Sequence, residues 1–166
     1  MLISCTSKQK HENVPQFSTS ENLTHYLNET VSLEGEIVHV CSADGRKMKL
    51  ILSDGEVITI LPEKQGELFA KNDWHNKTIQ VIGKLSARTI TKHELDTVFA
   101  QQHILCHIDL TPCIDTAWVN NQWENGNAEH LIETQQQELY EQMDEKTTDY
   151  IQQFSIVATK LKEISD

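Results

Sequence analysis

Apolar and polar positions alternate along the first half of the chain, the spacing typical of strands that bury one face. The apolar members of this series are Val31, Leu33, Ile37, Met48, Leu50, Leu52 and the run Val57-Ile58-Thr59-Ile60-Leu61. Asp44-Gly45 and Asp54-Gly55 are turn signals between the runs, and Pro62 ends the third. The pattern therefore predicts three strands connected as a meander.

A fourth strand is predicted at 78–85, after a segment of helical composition at 63–71. Three meandering strands, a short helix and a returning strand are the order of a small OB-type Greek-key barrel. The fifth strand that such a barrel needs has one candidate, 86–90. Gly35 and Gly83 lie inside strand patterns, where they suit bulges or barrel corners, or are simple loop glycines. We predict a mainly β fold.

From residue 128 onwards the apolar positions recur at intervals of three, four or seven residues, as in an amphipathic helix. They are Ile132, Leu139, Met143, Tyr150, Phe154, Val157, Leu161 and Ile164. Gln136 and Thr147 interrupt the heptads, so we expect this helix to pack on the barrel rather than form a coiled coil. The predicted organisation is a tether at 1–18, the barrel with a short leading helix at 19–95, a linker at 96–127 and a C-terminal helical arm at 128–166.

Charge narrows the classes of partner that the chain can bind. Lysine and arginine number 14 against 25 aspartates and glutamates in 166 residues, which gives a net charge of −11. Such a chain repels phosphate backbones, so the composition disfavours nucleic-acid partners. The excess is concentrated in 120–166, where ten acidic residues stand against three lysines. No apolar run in the sequence reaches the roughly 18 residues that would span a bilayer.

Leu2-Ile3-Ser4-Cys5 matches the box that a lipoprotein signal peptidase cleaves before an acylated cysteine. Only Met1 precedes the box, whereas a secretory signal needs a basic start and roughly 7–15 apolar residues. Either translation begins further upstream, or the box is a coincidence in an ordinary N-terminal segment. The polar stretch 6–13 is typical of the tether behind an acylated cysteine. We therefore favour a bacterial cell-envelope lipoprotein, periplasmic or anchored in the outer membrane, held to the membrane through Cys5.

Three motifs carry a family resemblance. They are Gly35-Glu36-Ile37-Val38-His39-Val40-Cys41, Gly45-Arg46-Lys47-Met48 and Ile79-Gln80-Val81-Ile82-Gly83-Lys84-Leu85. With them, the segment 21–95 resembles uncharacterised exported OB-fold domains found in lipoproteins of Bacteroidetes-type bacteria. The resemblance implies an OB barrel outside the cytoplasm and confers no known activity. Many such domains carry a second cysteine near the position of Met48, so a cysteine pair across the first hairpin is lost here.

A group of candidate metal ligands lies on the first predicted hairpin and downstream of it. His39, Cys41 and Met48 fall on the facing arms of the hairpin, and Cys106 and His107 follow later in the chain. Imidazole, thiolate and thioether groups are soft ligands that suit copper, and with less methionine they suit zinc. In the alternative interpretation, which we favour, Cys41 and Met48 are buried hydrophobic residues, His39 is a half-exposed strand residue, and the protein has no cofactor.

The cysteines allow one further prediction. If Cys5 is lipidated, Cys41, Cys106 and Cys113 remain. A disulfide between Cys106 and Cys113 would close the turn at 109–112 in an oxidising periplasm, and free or mixed pairing is the alternative.

Signatures of a reaction centre are missing from the sequence, which has no glycine-rich phosphate loop, Gly-x-Ser-x-Gly elbow or His-Glu-x-x-His helix. Trp74, Trp118 and Trp123 are expected as core or interface anchors, or alternatively as a stacking platform for sugars or bases. We therefore predict a non-enzymatic binding or scaffold module for a protein, peptide or glycan partner. The alternatives are a periplasmic soft-metal carrier and an oligonucleotide-binding OB domain.

Overall fold

A computed structural model describes residues 13–41, 47–63 and 73–164 of the chain. The strands are β1 Gln16–Phe17, β2 Thr30–Val40, β3 Met48–Ile51, β4 Val57–Pro62, β5 Thr78–Thr91 and β6 Tyr150–Glu163. The helices are α1 Lys92–Ala100, α2 Thr116–Glu124 and α3 Ala128–Glu145, with a 3₁₀ helix at Leu23–Tyr26. The sheet order is β1-β2-β3-β4-β6-β5, and β2 also pairs with β5. Strands β2 to β6 therefore form a closed five-stranded barrel, as predicted for an OB-type fold.

The fifth barrel strand is β6, which lies between β4 and β5. It runs parallel to β4, from Ile58↔Phe154 to Pro62↔Ala158, and antiparallel to β5. The predicted fifth strand at 86–90 is therefore wrong, because these residues continue β5. One strand of fourteen residues bonds to β2 with its first half and to β6 along nearly its whole length.

The predicted helical arm at 128–166 is correct only as far as Glu145, because the chain after residue 149 is strand β6. The three helices lie between β5 and β6, so residues 92–149 form an insertion into the barrel. This insertion begins at a capping box, in which Thr91 and Glu94 each bond the other's backbone amide. Residues 96–127, predicted as a linker, contain the end of α1 and all of α2.

Two apolar cores hold the molecule together. The barrel core is formed by the inward side chains of β2 to β6, and its centre includes Leu33, Ile37, Leu50, Ile58, Ile60, Leu85 and Ile156. The second core joins the insertion to the end of β5 and the start of β6, and it includes Ile90, Leu95, Phe99, Leu105, Ile132, Met143 and Ile151. Each fully buried side chain of this size contributes about 1.5–3 kcal/mol. Because the second core combines side chains of the insertion with Ile90 and Ile151 of the barrel strands, the helices are packed onto the barrel.

The two strand glycines lie where backbones approach each other closely. A Cβ atom on Gly83 would come within 2.1 Å of the Val157 carbonyl oxygen, beside a bulge in the β5–β6 pairing. A Cβ atom on Gly35 would come within 2.4 Å of the Ile51 carbonyl oxygen. Neither position accommodates a side chain, so of the two interpretations left open by the sequence, the structure supports glycines within strands and not loop glycines.

The N-terminal part of the described chain is bound to the barrel. Gln16 and Phe17 pair in parallel with Ser32 and Leu33 of β2, and the Ser32 amide donates to the Pro15 carbonyl. The prediction of a tether as far as residue 18 is therefore wrong for 13–18. Cys5, the predicted reversal at 44–45 and the greater part of the predicted helix at 63–71 lie outside the described residues.

Candidate functional site

A short hairpin of the insertion, residues 104–113, covers part of the outer barrel surface. Leu105 and Pro112 form an antiparallel bridge, and the Cys106 amide donates to the Thr111 carbonyl at 2.7 Å. The Asp109 carboxylate closes the turn by accepting from the amide and the hydroxyl of Thr111. The hydrogen bonds within this turn fix its shape but not its place on the molecule. Its position therefore depends on the barrel residues that it contacts.

Two polar side chains of the barrel hold this hairpin at its centre. Thr59 lies between the inward-facing Ile58 and Ile60, so its own side chain faces outward, yet it is only 2% exposed because the hairpin covers it. The Thr59 hydroxyl donates to the Ile108 carbonyl at 2.8 Å, and the Gln153 amide donates to the same oxygen at 2.9 Å. Strands β4 and β6 therefore fix one peptide unit of the hairpin together.

A partly buried ion pair holds the turn of the hairpin. The Lys47 ammonium group lies 2.5 Å from the Asp109 carboxylate, and both side chains are about one-sixth exposed. Burial by itself lowers the pKa of Lys47, but the hydrogen bond and the charge of Asp109 outweigh it and hold that pKa above its usual value. Burial acts to raise the pKa of Asp109, and bonds from Lys47 and Thr111 reverse the direction and lower it. The pair is charged at neutral pH.

A bulge in β2 brings two histidines together. Ile37 pairs with Leu50 and His39 pairs with Lys49, so Val38 is an extra residue and His39 faces outward. The rings of His39 and His107 lie with their centroids 4.2 Å apart, at an interplanar angle of 59°. Burial, followed by the charges of His107, His75 and Lys49, lowers the pKa of His39, and burial followed by Lys49 lowers the pKa of His107. Both imidazoles are therefore neutral donors and acceptors at neutral pH.

The structure separates the candidate metal ligands into two groups. Met48 is fully buried in the barrel core, whereas the bulge turns His39 outward. The two side chains therefore lie on opposite faces of the sheet. Cys41 is held beside Lys47, because its amide donates to the Lys47 carbonyl, and Cys106 lies in the hairpin, where burial raises the pKa of its thiol. Within 13–41, 47–63 and 73–164, no three His, Cys, Asp or Glu side chains are arranged to hold a metal ion. A site with copper or zinc remains a prediction, which metal analysis of protein purified without chelator would test.

Cys41, Cys106 and Cys113 are free thiols in this structure. The hairpin register places Cys106 opposite Thr111 and Cys113 opposite Ile104, so the two cysteines are diagonal neighbours. Diagonal positions are about 7–8 Å apart, whereas a disulfide needs Cβ atoms about 3.5–4.5 Å apart. The predicted bond between Cys106 and Cys113 is not formed here, and forming it would require the register of the hairpin to shift.

A cleft of about 300 Å³ lies beside the hairpin, between helix α3 and strands β3, β4 and β6. Its apolar lining consists of Val57, Leu105, Ile108, Leu110, Leu139 and Ile151. Its polar lining consists of Lys49, Glu56, His107, Gln135, Glu138, Gln142, Gln152 and Gln153. Gln135 and Gln153 already bond the hairpin backbone, at Leu105 and Ile108. The cleft therefore presents both apolar and polar side chains, so it can hold an apolar group and bond the polar chain around it.

The position of the cleft follows from the barrel topology. OB folds bind ligands on the face of the second and third barrel strands, flanked by the loop between the fourth and fifth. In this chain those elements are β3, β4 and the insertion, and each contributes to the cleft. The correspondence is an analogy of fold and carries no chemistry of its own.

Of the site residues predicted from the sequence, only His107 lines this cleft, with His39 in contact behind it. The cleft residues of α3 and β6 were not predicted as site residues from the sequence. Their positions along the chain carry no motif, and the sequence suggested a single helical arm for both segments. A run of glutamines at 135–137 and again at 152–153 was the one available signal.

The three tryptophans divide between core and surface. Trp74 is 6% exposed and belongs to the barrel core, whereas Trp118 and Trp123 lie on the outside of α2. Trp74 is therefore a core anchor, as predicted, and neither Trp118 nor Trp123 lines the cleft. None of the described helices combines the length and hydrophobicity that crossing a bilayer requires.

Comparison with known proteins gives no assignment. No protein-family model matches the chain, and no curated protein matches it significantly.

Proposed function

We propose that this protein is a non-enzymatic binding module whose cleft takes a short segment of a peptide or protein partner. The observation that carries the proposal is the lining of the cleft, in which apolar side chains of the hairpin and α3 lie among glutamine side chains. An apolar residue of a partner fits the leucine and isoleucine surface. The amides of Gln142 and Gln152 can donate to and accept from a peptide backbone.

Three properties support a peptide over the other ligand classes. The described lining residues include no phenylalanine, tyrosine or tryptophan, the large rings on which sugars and bases mainly stack. The net charge of −11 opposes a polyanion. The cleft carries one lysine and two glutamates, Lys49, Glu56 and Glu138, and this mixture suits a peptide with both charges better than a nucleic acid.

The proposal is tested by selecting ligands from a displayed peptide library on the immobilised protein and measuring the affinity of the selected peptides. Gln142→Lys places a long cation in the cleft, and we expect it to weaken binding at least about tenfold, or about 1.4 kcal/mol. Gln137→Lys is the matched control, because Gln137 is exposed on the same helix and does not line the cleft. Equal loss in both variants, or no selected peptide at all, would reject the cleft as the binding site.

We also propose that the module is attached to the bacterial envelope by an acyl chain on Cys5. The support is the match of 2–5 to a lipoprotein box and the polar stretch behind it. Radiolabelled palmitate supplied to cells that express the gene with its upstream reading frame should enter the protein and should not enter a Cys5→Ala variant. Failure of the label to enter the unmodified protein would count against the anchor and would leave the cleft proposal standing.

A further inference from the structure

Strand β6 has one stretch that is paired on a single side. Its pairing with β5 continues down to Tyr150, whereas its pairing with β4 begins only at Ile58↔Phe154. The stretch 150–153 therefore has β5 on one side and no strand of the described chain on the other. Val57 of β4 and all but the first residue of this stretch line the cleft. The free edge of β6 therefore borders the cleft.

The hydrogen-bonding phase of the β5–β6 ladder decides which backbone groups lie at that edge. Leu85 bonds the segment 28–29 through both its amide and its carbonyl, so both of these groups point away from β6. In an antiparallel ladder, such a residue stands opposite one whose groups also point away, and this arrangement recurs at every second pair. Leu85↔Ile156 and Thr89↔Gln152 are pairs of the same phase. The Gln152 amide and carbonyl therefore point away from β5, to the side of the cleft.

Two other bonds of this part of the chain agree with that phase. The Ala158 carbonyl, which is in phase with Gln152, accepts from the Glu63 amide directly after β4. The Asp149 carbonyl, which is out of phase with Gln152, accepts from the Lys92 amide directly after β5. Even-numbered residues from 150 to 158 therefore direct their backbone groups to the β4 side, and odd-numbered residues direct theirs to β5.

The two backbone groups of Gln152 are free to bond a ligand. Within 13–41, 47–63 and 73–164, no hydrogen bond joins either group to a loop or to a side chain. The next group along the same edge, the Tyr150 carbonyl, already accepts from the Thr148 hydroxyl. The free edge is therefore short and centred on Gln152, which is exposed. Unpaired strand edges bind extended chains through such backbone groups.

We propose that the peptide segment in the cleft adds to β6 as an extended strand, with its backbone bonded to the Gln152 amide and carbonyl. This proposal rests on the proposed function and specifies how the same site recognises its ligand. Side chains of an extended segment alternate between two faces. Those on the face of Ile151 contact the apolar lining, which includes Leu105, Ile108 and Leu139. The ligand is therefore an extended segment with apolar residues at alternate positions, and not a helix.

Strand β5 has a comparable edge on the opposite side of the same ladder. Its pairing with β2 ends at Thr30↔Lys84, so the stretch 86–90 pairs only with β6. Thr89, directly opposite Gln152, directs its amide to this second edge. None of the residues that line the cleft belongs to β5. The second edge therefore offers the same backbone groups without the apolar lining, and it serves as the matched control.

Proline substitution removes one backbone N–H and tests each edge separately. Gln152→Pro removes the donor at the cleft, Thr89→Pro makes the same change at the opposite edge, and neither removes a bond of the β5–β6 ladder. The probe is the tightest-binding peptide of the display selection, measured by titration calorimetry. We expect Gln152→Pro to weaken binding at least about tenfold and Thr89→Pro to change it less than about twofold. Gln152→Ala keeps the N–H and should lose less affinity than Gln152→Pro.

Amide hydrogen exchange, resolved by residue, tests the same inference in the unmodified protein. Without peptide, the Gln152 amide should exchange rapidly, whereas the Ile151 and Gln153 amides, which face β5, should exchange slowly. Saturation with the selected peptide should slow exchange at Gln152 at least about tenfold and leave Thr89 unchanged.

The outcomes separate this proposal from the proposed function. Binding that is weakened by Gln142→Lys but not by Gln152→Pro, with no protection of the Gln152 amide, would keep the cleft and reject the added strand. Equal losses in Gln152→Ala and Gln152→Pro would assign recognition to the side chain, and a loss in Thr89→Pro alone would assign it to β5.

Two further results would also reject the added strand. Slow exchange of the Gln152 amide without peptide would show that the edge is already paired, and a dependence of that protection on protein concentration would identify a second copy of the chain as its occupant. Failure to select any peptide would reject both proposals.

Discussion

Thr59 shows how a single polar residue links the barrel to the insertion. On an open barrel its outward-facing side chain would be in water, but the 104–113 hairpin buries it and supplies the Ile108 carbonyl as a partner. A buried hydroxyl without a partner would cost about 1–3 kcal/mol, so this bond favours the docked position of the hairpin. The alternating pattern predicted that Thr59 lies on a strand. It could not predict what covers the side chain.

Replacing Thr59 by valine keeps the shape of the side chain and removes the donor. We expect the variant to lose about 1 kcal/mol of unfolding free energy, because Ile108 keeps its second bond from Gln153. Hydrogen exchange should accelerate at 104–113 more than in the barrel. Thr89→Val, at an exposed position of β5, should change neither quantity. Unchanged exchange in the hairpin of Thr59→Val would contradict this account.

Gly83 is constrained by the β6 backbone rather than by its own conformation. Gly83→Ala places a Cβ atom against the Val157 carbonyl. We expect the free energy of unfolding to fall by about 1–3 kcal/mol. Urea denaturation measures the loss, and Lys84→Ala at the exposed neighbouring position is the control. A Gly83→Ala protein as stable as the control would show that the two strands can separate at no cost.

At the scale of elements, the 104–113 hairpin is held by contacts to four separate parts of the barrel. His107 contacts His39 from β2, Asp109 pairs with Lys47 before β3, and Ile108 accepts from β4 and β6. None of these contacts is local in sequence. The soft-ligand group predicted from the sequence was His39, Cys41, Met48, Cys106 and His107. Four of them lie in the hairpin or at the end of β2 that it contacts, whereas Met48 is buried in the barrel core. Their arrangement could not be predicted, since it depends on the bulge at Val38 and on how the insertion folds back.

The contact between His39 and His107 predicts a dependence of stability on pH. Both pKa values are lowered in the folded state, so the unfolded chain takes up protons first as the pH falls below the ordinary value of 6.5. The contribution of the pair is therefore fully present above that value, and it is lost as the pH falls through the folded-state pKa values. The nearby groups His75 and Lys49 are also cationic when protonated, so they reinforce this direction.

Urea midpoints measured between about pH 7 and pH 5 test this prediction. The double variant His39→Gln/His107→Gln should show a smaller loss of stability over that interval than the unmodified protein. His130→Gln, at an exposed position of α3, should keep the original dependence. The same slope in all three proteins would assign the pH dependence to other groups.

At the scale of the whole molecule, the closure of the barrel depends on the last part of the chain. Strand β6 supplies partners to β4 on one side and to β5 on the other, at Ile60↔Ile156 and Leu85↔Ile156 among other pairs. Without β6 both neighbours would present unpaired backbone groups. The insertion at 92–149 therefore lies between two parts of one cooperative unit, and its helices are positioned because the chain must return to the barrel.

This topology predicts the effect of truncation. A protein that ends at residue 149 should lose cooperative unfolding and bind a hydrophobic dye, because β4 and β5 then have open edges. A protein that ends at Ile164 keeps all of β6 and should unfold as the full chain does. Under the interpretation of 128–166 as a separate helical arm, the shorter protein would keep a folded barrel. Circular dichroism during thermal unfolding distinguishes the two results.

The sequence by itself determined the four strands from 31 to 85, the turn at Gly55 and the helix that α3 forms, because alternation, turn residues and helical spacing act between near neighbours. Residues 150–164 carry two patterns, a helical spacing through Phe154, Val157 and Leu161 and an alternation through Phe154, Ile156 and Ala158. Only the tertiary structure decided between them, because a strand there satisfies the edges of β4 and β5 and a helix does not. The cleft, too, exists only in the tertiary structure, because the segments that enclose it are far apart in the chain and meet only after the barrel has closed.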